Sequence, residues 1–330
     1  MNLKGVITAT QPYPDTGEIY YLVDTNYRTV AQGWSQADFT GPLDLFEQRN
    51  PGRVFYTTGA GAASAAATDS AAMQAANDAM VDFRGDAMFF TPGSYTPLTA
   101  IVIDVPDARW LGRPVRHAGA ASATITGGVA SALAPTAAAD RMEVAYLRFV
   151  PLTAATLWAV ASGANGWHMH NFVYDSTGIA ASTATIFAAL AGSADNWMVE
   201  DFVFITDGAQ GATFQLNGTA LGQTYRNFVH YHLGGTIAIS LLDVQGAGAA
   251  GIRVGPGDGQ VGAGGVVTDL ISMADLTGLN GVVVRNFFGS VGYAAANSLI
   301  TVAGTTAEAN LTNSYIATVL GGNGSTLYTA

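Results

Sequence analysis

Trp167-His168-Met169-His170-Asn171-Phe172-Val173 is echoed by Trp197-Met198-Val199-Glu200-Asp201-Phe202-Val203. In both stretches a tryptophan opens the segment, an Asn or Asp stands four residues later, and Phe-Val follows. The second half of the pattern returns as Tyr225-Arg226-Asn227-Phe228-Val229, Val284-Arg285-Asn286-Phe287-Phe288 and Leu311-Thr312-Asn313-Ser314-Tyr315. Positions 171, 201, 227, 286 and 313 are separated by 30, 26, 59 and 27 residues. The 59 is close to two steps, which places one degenerate copy in the Gly-rich segment 246–265. Self-similarity at a period of roughly 20–50 residues marks a solenoid. Each unit reads strand, turn, strand with no helical segment, which selects a β-solenoid over helical repeat arrays. Asn and Asp tolerate the left-handed backbone that a corner needs. The Phe and Val after them point apolar bulk into a stacked interior, and Asn over Asn is expected to form a side-chain amide ladder. A coil of 26–30 residues suits three short strands and three corners.

Composition narrows the function classes. The 330 residues are 49% hydrophobic and only 11% charged, with a net charge of −11 and no cysteine. About 25% charged residues is usual for a soluble domain. An acidic chain with one lysine, Lys4, lacks the clustered cations a nucleic-acid binder needs. Cysteine-ligated metals, disulfides and cysteine nucleophiles are excluded. No apolar run has membrane-spanning length, and residues 1–10 contain no apolar core of signal-peptide length, so neither a membrane span nor an export signal is expected. The charge deficit concentrates in residues 151–330, which carry ten acids but only Arg226, Arg253 and Arg285 as bases. Outer faces so poor in charge are expected to be covered by subunit contacts.

Residues 1–57 hold short β-type runs (Glu18–Val23, Tyr27–Val30) around the turn Asp24-Thr25-Asn26 and read as a small module of paired strands. Residues 58–67, mainly Gly, Ala and Ser, read as a linker. Residues 68–330 form the β-helix domain, opening with a helix over 68–84. Thr68-Asp69-Ser70 caps that helix, Met73, Ala76, Met80 and Phe83 recur on one face, and Gly85 ends it.

Thr68-Asp69 through Ala79, followed by Met88-Phe89-Phe90-Thr91-Pro92-Gly93-Ser94-Tyr95, resembles the opening motif of pectate-lyase-like right-handed parallel β-helices, common in bacteriophage tailspikes and other virion proteins. The Gly-Gly pair that often precedes the strand is missing, and Thr91 replaces the usual first proline. The resemblance covers about 28 residues. It implies an all-β right-handed parallel β-helix, a helix that caps the first coil, a trimer, and an N-terminal virion-attachment module. The attachment surface would draw on Trp34, Arg49 and Arg53, with the basic cluster Arg109, Arg113, Arg116 and His117 facing a neighbouring subunit or the shell.

No catalytic constellation is evident and no cofactor is expected. Two His-x-His pairs, His168/His170 and His230/His232, are weak metal candidates, because residues i and i+2 of a strand project from one face. Asp201 occupies a corner slot and reads as structural; a carboxylate pair such as Glu200 and Asp207 could stand one coil-face apart. Arg84-Gly85-Asp86 spells an integrin-type tripeptide but sits at a turn. The reading is a bacteriophage virion structural protein: a homotrimeric capsid decoration (cement) protein or head fibre. It would be assembled in the host cytoplasm, sit on the capsid surface and contact the major capsid protein. It would bind neither nucleic acid nor membrane. The alternative is a tailspike that binds or cleaves host surface glycan, presenting a groove with carboxylates and exposed Trp158, Trp167, Trp197 or Tyr231.

Overall fold

The computed structural model describes residues 19–23, 29–34, 54–57, 66–82, 85–114, 123–151, 155–179, 186–245, 249–273, 283–289, 300–302, 315–320 and 328–329. They form a parallel β-solenoid with one helix, Ala66–Asp78, and an antiparallel hairpin of Ile19–Val23 with Thr29–Trp34. The all-β solenoid class read from the repeat is what the chain adopts.

Three ladders of parallel strands build it. Ladder 1 stacks Val54–Thr57, Ala87–Phe90, Arg109–Leu111, Glu143–Ala145 and His168–His170. It continues through residues 198–200, 224–226 and 253–254. Ladder 2 stacks Gly93–Tyr95, Ala123–Gly127, Leu147–Pro151 and Val173–Asp175, then residues 202–206, 228–232 and 257–261. Ladder 3 has nine strands, from Ile101–Ile103 to Tyr328–Thr329. Strands Ala123–Gly127 and Leu133–Pro135 lie in a stretch that reads in the sequence only as an Ala/Ser/Thr/Gly separator.

The corners carry the repeat. Asn171, Asp201, Asn227 and Asn286 all hold positive φ, between 50° and 53°, at the junction of ladders 1 and 2. Tyr146 holds the same conformation one coil earlier, with φ of 59°. The degenerate copy expected in 246–265 is Pro256, whose carbonyl accepts from Asn227 N at 2.7 Å and whose neighbour Gly257 pairs with Phe228 and Phe287. A second left-handed column precedes ladder 1, formed by Gly85, Asp107, Arg141, Gly166, Asn196, Gly222 and Gly251. No side-chain amide ladder joins the described corner residues. They are exposed, successive coils are tied there through backbone bonds such as Tyr146 N to Asn171 O at 3.1 Å, and the Asn171 amide turns to His170 instead.

What stacks is the apolar column just inside the corner. Phe172, Phe202 and Phe228 lie ring on ring with centroids 5.2 and 5.4 Å apart, and Phe287 follows Phe228 at 6.0 Å. Phe228 bridges the coil that offers only Gly257, where an added Cβ would come within 2.4 Å of its ring. Trp167 and Trp197 stack at 4.5 Å, and their indole N–H groups donate to the carbonyls of Ala139 and Ala164. Each aromatic pair contributes about 0.5–1.5 kcal/mol beyond area burial. Trp158, Trp167 and Trp197 are therefore core residues with no exposed surface to offer a ligand.

The helix lies over the first strand of ladder 3. Gln74 Nε2 donates to Val102 O at 3.0 Å, and Val102 N donates back to Gln74 Oε1 at 2.8 Å, while Met73 is buried in the core. The helix ends at Asp78, short of the 84 that the apolar spacing predicts. Val81 N donates to the buried Asp86 carboxylate at 2.9 Å rather than continuing the helical bonds. Gly85, with φ of 68°, turns the chain into ladder 1 instead of closing the helix.

Left-handed corners predict a simple substitution pattern. Asn227→Ala should lower stability by about 1 kcal/mol, while Asn227→Gly should be neutral, because only the β-carbon of alanine meets the left-handed penalty. Phe202→Ala should cost about 3–5 kcal/mol by opening a cavity in the stack. Urea denaturation midpoints read all three.

Candidate functional site

Alternation along ladder 1 sends Met88, Trp110, Val144, Met169, Val199, Tyr225 and Val254 into the core. Their neighbours Arg109, Glu143, His168, His170, Glu200, Arg226 and Arg253 occupy the outward positions. The bases Arg226 and Arg253 of the charge-poor half both fall on this ladder, and Arg285 follows in its next strand. Ladders 2 and 3 turn mainly small or apolar residues outward, such as Val203, Ile205 and Val229, or Ala134, Ala159 and Ala189. The longest run of titratable groups is therefore on ladder 1, while ladder 2 carries the Arg148–Asp175 ion pair and the exposed Asp258, and ladder 3 carries Asp243.

The ladder-1 groups form a connected string across four coils. His170 Nε2 lies 3.0 Å from Glu143 Oε1, and Asn171 Nδ2 lies 2.9 Å from His170 Nδ1. Because Asn171 Nδ2 can only donate, Nδ1 of neutral His170 accepts and Nε2 carries the proton toward Glu143. His168 stacks on His170 with ring centroids 4.4 Å apart, and its Nε2 meets Glu200 Oε1 at 2.7 Å. Glu200 Oε2 then accepts from Arg226 Nε at 2.5 Å. Hydrogen bonding to His170 holds the Glu143 carboxyl below the usual range, against the opposing effect of burial. For Glu200, burial pushes the carboxyl up, but the bonds from His168 and Arg226 outweigh it and the net displacement is downward.

Tyr146 adjoins this string, its ring edge-on to His170 at 5.6 Å. Where the other described left-handed residues of this corner are Asn or Asp, a tyrosine with φ of 59° is strained. Strain held beside a polar cluster is a mark of a functional surface. Both Tyr146 and Glu143 escape a reading that starts the repeat at Trp167. The signal was present: Met142 to Tyr146 repeats the four-residue step from Trp167 to Asn171, one coil earlier.

The remaining sequence candidates distribute as follows. His230 and His232 face the interior and are buried, so that pair presents nothing outward. Among the described residues no group of three or more His, Asp or Glu is placed to hold a metal ion. Glu200 and Asp207 are not brought together: the Asp201 corner and the whole ladder-2 strand to Thr206 separate them. Arg109 donates from Nε and Nη2 to Gly85 O at 3.0 and 2.7 Å, within its own chain. Arg113 is exposed. The side chain of Trp34, together with Arg49, Arg53, Arg116 and His117, lies outside the described residues. Of the Arg84-Gly85-Asp86 tripeptide, Asp86 is buried and Arg84 lies outside the described residues. Tyr231, at 37% exposure, is the one aromatic of the expected glycan groove that reaches the surface.

Fold and site define a parallel β-solenoid with one polar, imidazole-bearing face. The chain matches no family model, no curated protein and no solved structure.

The string has a pH signature with a definite sign. Glu143 and Glu200 have folded-state pKa values displaced downward, so their stabilisation is fully present above the unfolded value of 4.5 and is lost as pH falls through the lower folded values. The double variant Glu143→Gln/Glu200→Gln should flatten the fall in urea midpoint between pH 5 and pH 3. Tyr146→Asn should raise stability by about 1 kcal/mol by relieving the left-handed strain.

Proposed function

We propose that this chain is a structural β-helix of a bacteriophage virion, right-handed and trimeric, that decorates the capsid surface and reinforces the shell. In this reading the N-terminal residues 1–57 grip the shell and the helix Ala66–Asp78 closes the first coil. The observation that carries it is the division of the solenoid surface. The longest run of titratable groups is on ladder 1, while ladder 2 offers the half-buried Val203, Ile205 and Val229 beside the Arg148–Asp175 ion pair, and ladder 3 offers Ala134, Ala159 and Ala189. Apolar flat faces of this kind favour lateral association of copies, and an interior of stacked rings makes a stiff rod. The virion assignment itself rests on the resemblance of residues 68–95.

A second reading, host-glycan binding, is favoured by the ladder-1 string of Glu143, His170, His168, Glu200 and Arg226 with the strained Tyr146 beside it. Planar hydrogen-bonding groups next to a half-buried ring offer what a sugar surface can use. Electron cryomicroscopy of intact particles tests the two readings. Density on the shell between capsomers is the expected outcome, and density at the tail tip would overturn decoration. Sedimentation should give a mass near three times the 33.9 kDa chain. Release of fragments from host polysaccharide would sink the purely structural reading.

A further inference from the structure

Seven methionines fall among the described residues, and the fold treats one of them differently. Met73, Met80, Met88, Met142, Met169 and Met273 lie in the core, none more than 6% exposed. Met198 is 38% exposed. It opens the strand Met198–Thr206 on the outer side of ladder 1, in register with His168 of one neighbouring coil and Thr224 of the other. A thioether reacts with a dissolved oxidant only where solvent reaches its sulfur. Among the described residues the strand alternation therefore opens one methionine to that chemistry and shields six.

The surroundings of the Met198 sulfur are polar. Arg226 Nη2 lies 3.8 Å from Met198 Sδ, and the same guanidinium donates from Nε to Glu200 Oε2 at 2.5 Å. Glu200 is itself held by His168 Nε2 at 2.7 Å. A carboxylate thus pins Arg226 where one of its N–H groups faces a thioether, which is a poor acceptor. A sulfoxide oxygen is a much better one, and a cationic donor is the kind of partner that holds an acceptor most firmly. In the core the same oxidation would set an unpartnered polar group among apolar side chains.

We propose that Met198 is an oxidation site for hydroperoxides, and that Arg226 captures the resulting sulfoxide so that the fold tolerates it. The sulfur lone pair attacks the distal oxygen of the hydroperoxide. The O–O bond breaks as the S–O bond forms, and two electrons pass from sulfur to the peroxide. The proton of the transferred oxygen moves to the departing one, which leaves as water or an alcohol. Arg226 keeps Nε on Glu200 and donates from Nη2 to the new oxygen, which lengthens the ladder-1 string by one member. The inference rests on the geometry of ladder 1 and not on the virion reading, which assigns lateral contacts to the other two ladders.

The first test treats the folded protein with hydrogen peroxide and follows each methionine by peptide mass spectrometry. The peptide carrying Met198 should gain an oxygen at least about tenfold faster than those carrying Met88, Met142, Met169 or Met273, and unfolding in urea should remove the difference. Equal rates in the folded protein would overturn the proposal. The second test reads capture. Oxidation should leave the urea midpoint of the wild type unchanged, but should raise the unfolding constant of Arg226→Ala about two- to tenfold, the worth of one hydrogen bond. The same response in both proteins would refute capture. Met198→Leu, treated alike, should not respond, and a response there would place the effect at another methionine and refute the assignment. If Arg226→Ala does not fold, the Nη2 protons of wild-type Arg226 decide. By NMR they should exchange with solvent more slowly after oxidation, and unchanged or faster exchange would refute capture.

Discussion

A parallel β-solenoid has to turn its chain at every corner without breaking the hydrogen bonds between coils, and here left-handed residues meet that requirement. Two columns recur along the solenoid. One leads into ladder 1, and the other separates ladder 1 from ladder 2. A single residue at φ near 50° reverses the side-chain alternation locally, so Asp201 turns outward while Val199 and Phe202 both point in. Strands such as Met198–Thr206 thus wrap two faces without a loop, and the same inward slot is refilled in each coil. The stacked phenylalanines follow from this geometry. Rings spaced by one strand separation fall into contact because the corner delivers them to the same place.

The interior and the exterior consequently answer to different constraints. Inside, column identity is enforced by packing: Phe above Phe, Trp above Trp, and at Gly257 an empty slot filled by the ring below. Outside, each position is released from the neighbouring coil, so composition is free to serve contacts. That freedom has been used unequally. One face gathers imidazoles, carboxylates and guanidinium groups into a hydrogen-bonded string across four coils, and the others hold shorter groupings such as the Arg148–Asp175 ion pair.

The class of fold was legible because the corner residues are chemically selected: Asn and Asp are among the few side chains at ease in that conformation, and they announced the coil length. The copies that departed from this chemistry, Tyr146 and Pro256, were harder to see, since a strained tyrosine or a proline carries no corner signature of its own. Strands in the Ala-rich stretch 123–135 were hidden for a related reason. Buried Ala123, Ile125 and Leu133 do alternate there with half-buried neighbours, but too many of the residues are small for the alternation to register as hydrophobic. The site was half legible. The His-x-His pairs stood out, but inward and outward faces look alike in sequence, and only the register of the corners decides that His168 and His170 meet solvent while His230 and His232 do not. Glu200 was noticed beside the wrong partner, because proximity along the chain says nothing about proximity between coils.

Gln74 has a bearing on how such a rod ends. Val102 belongs to the first strand of ladder 3, whose far side pairs with Leu133–Pro135, so its own N–H and C=O point away from the stack. The carboxamide of Gln74 engages both groups at once, as a neighbouring peptide unit would. One side chain thereby supplies the donor and the acceptor that a paired strand would have supplied to Val102. The satisfaction of this outward-facing peptide unit is written into a glutamine on a helix, where a hydropathy profile would not lead anyone to look.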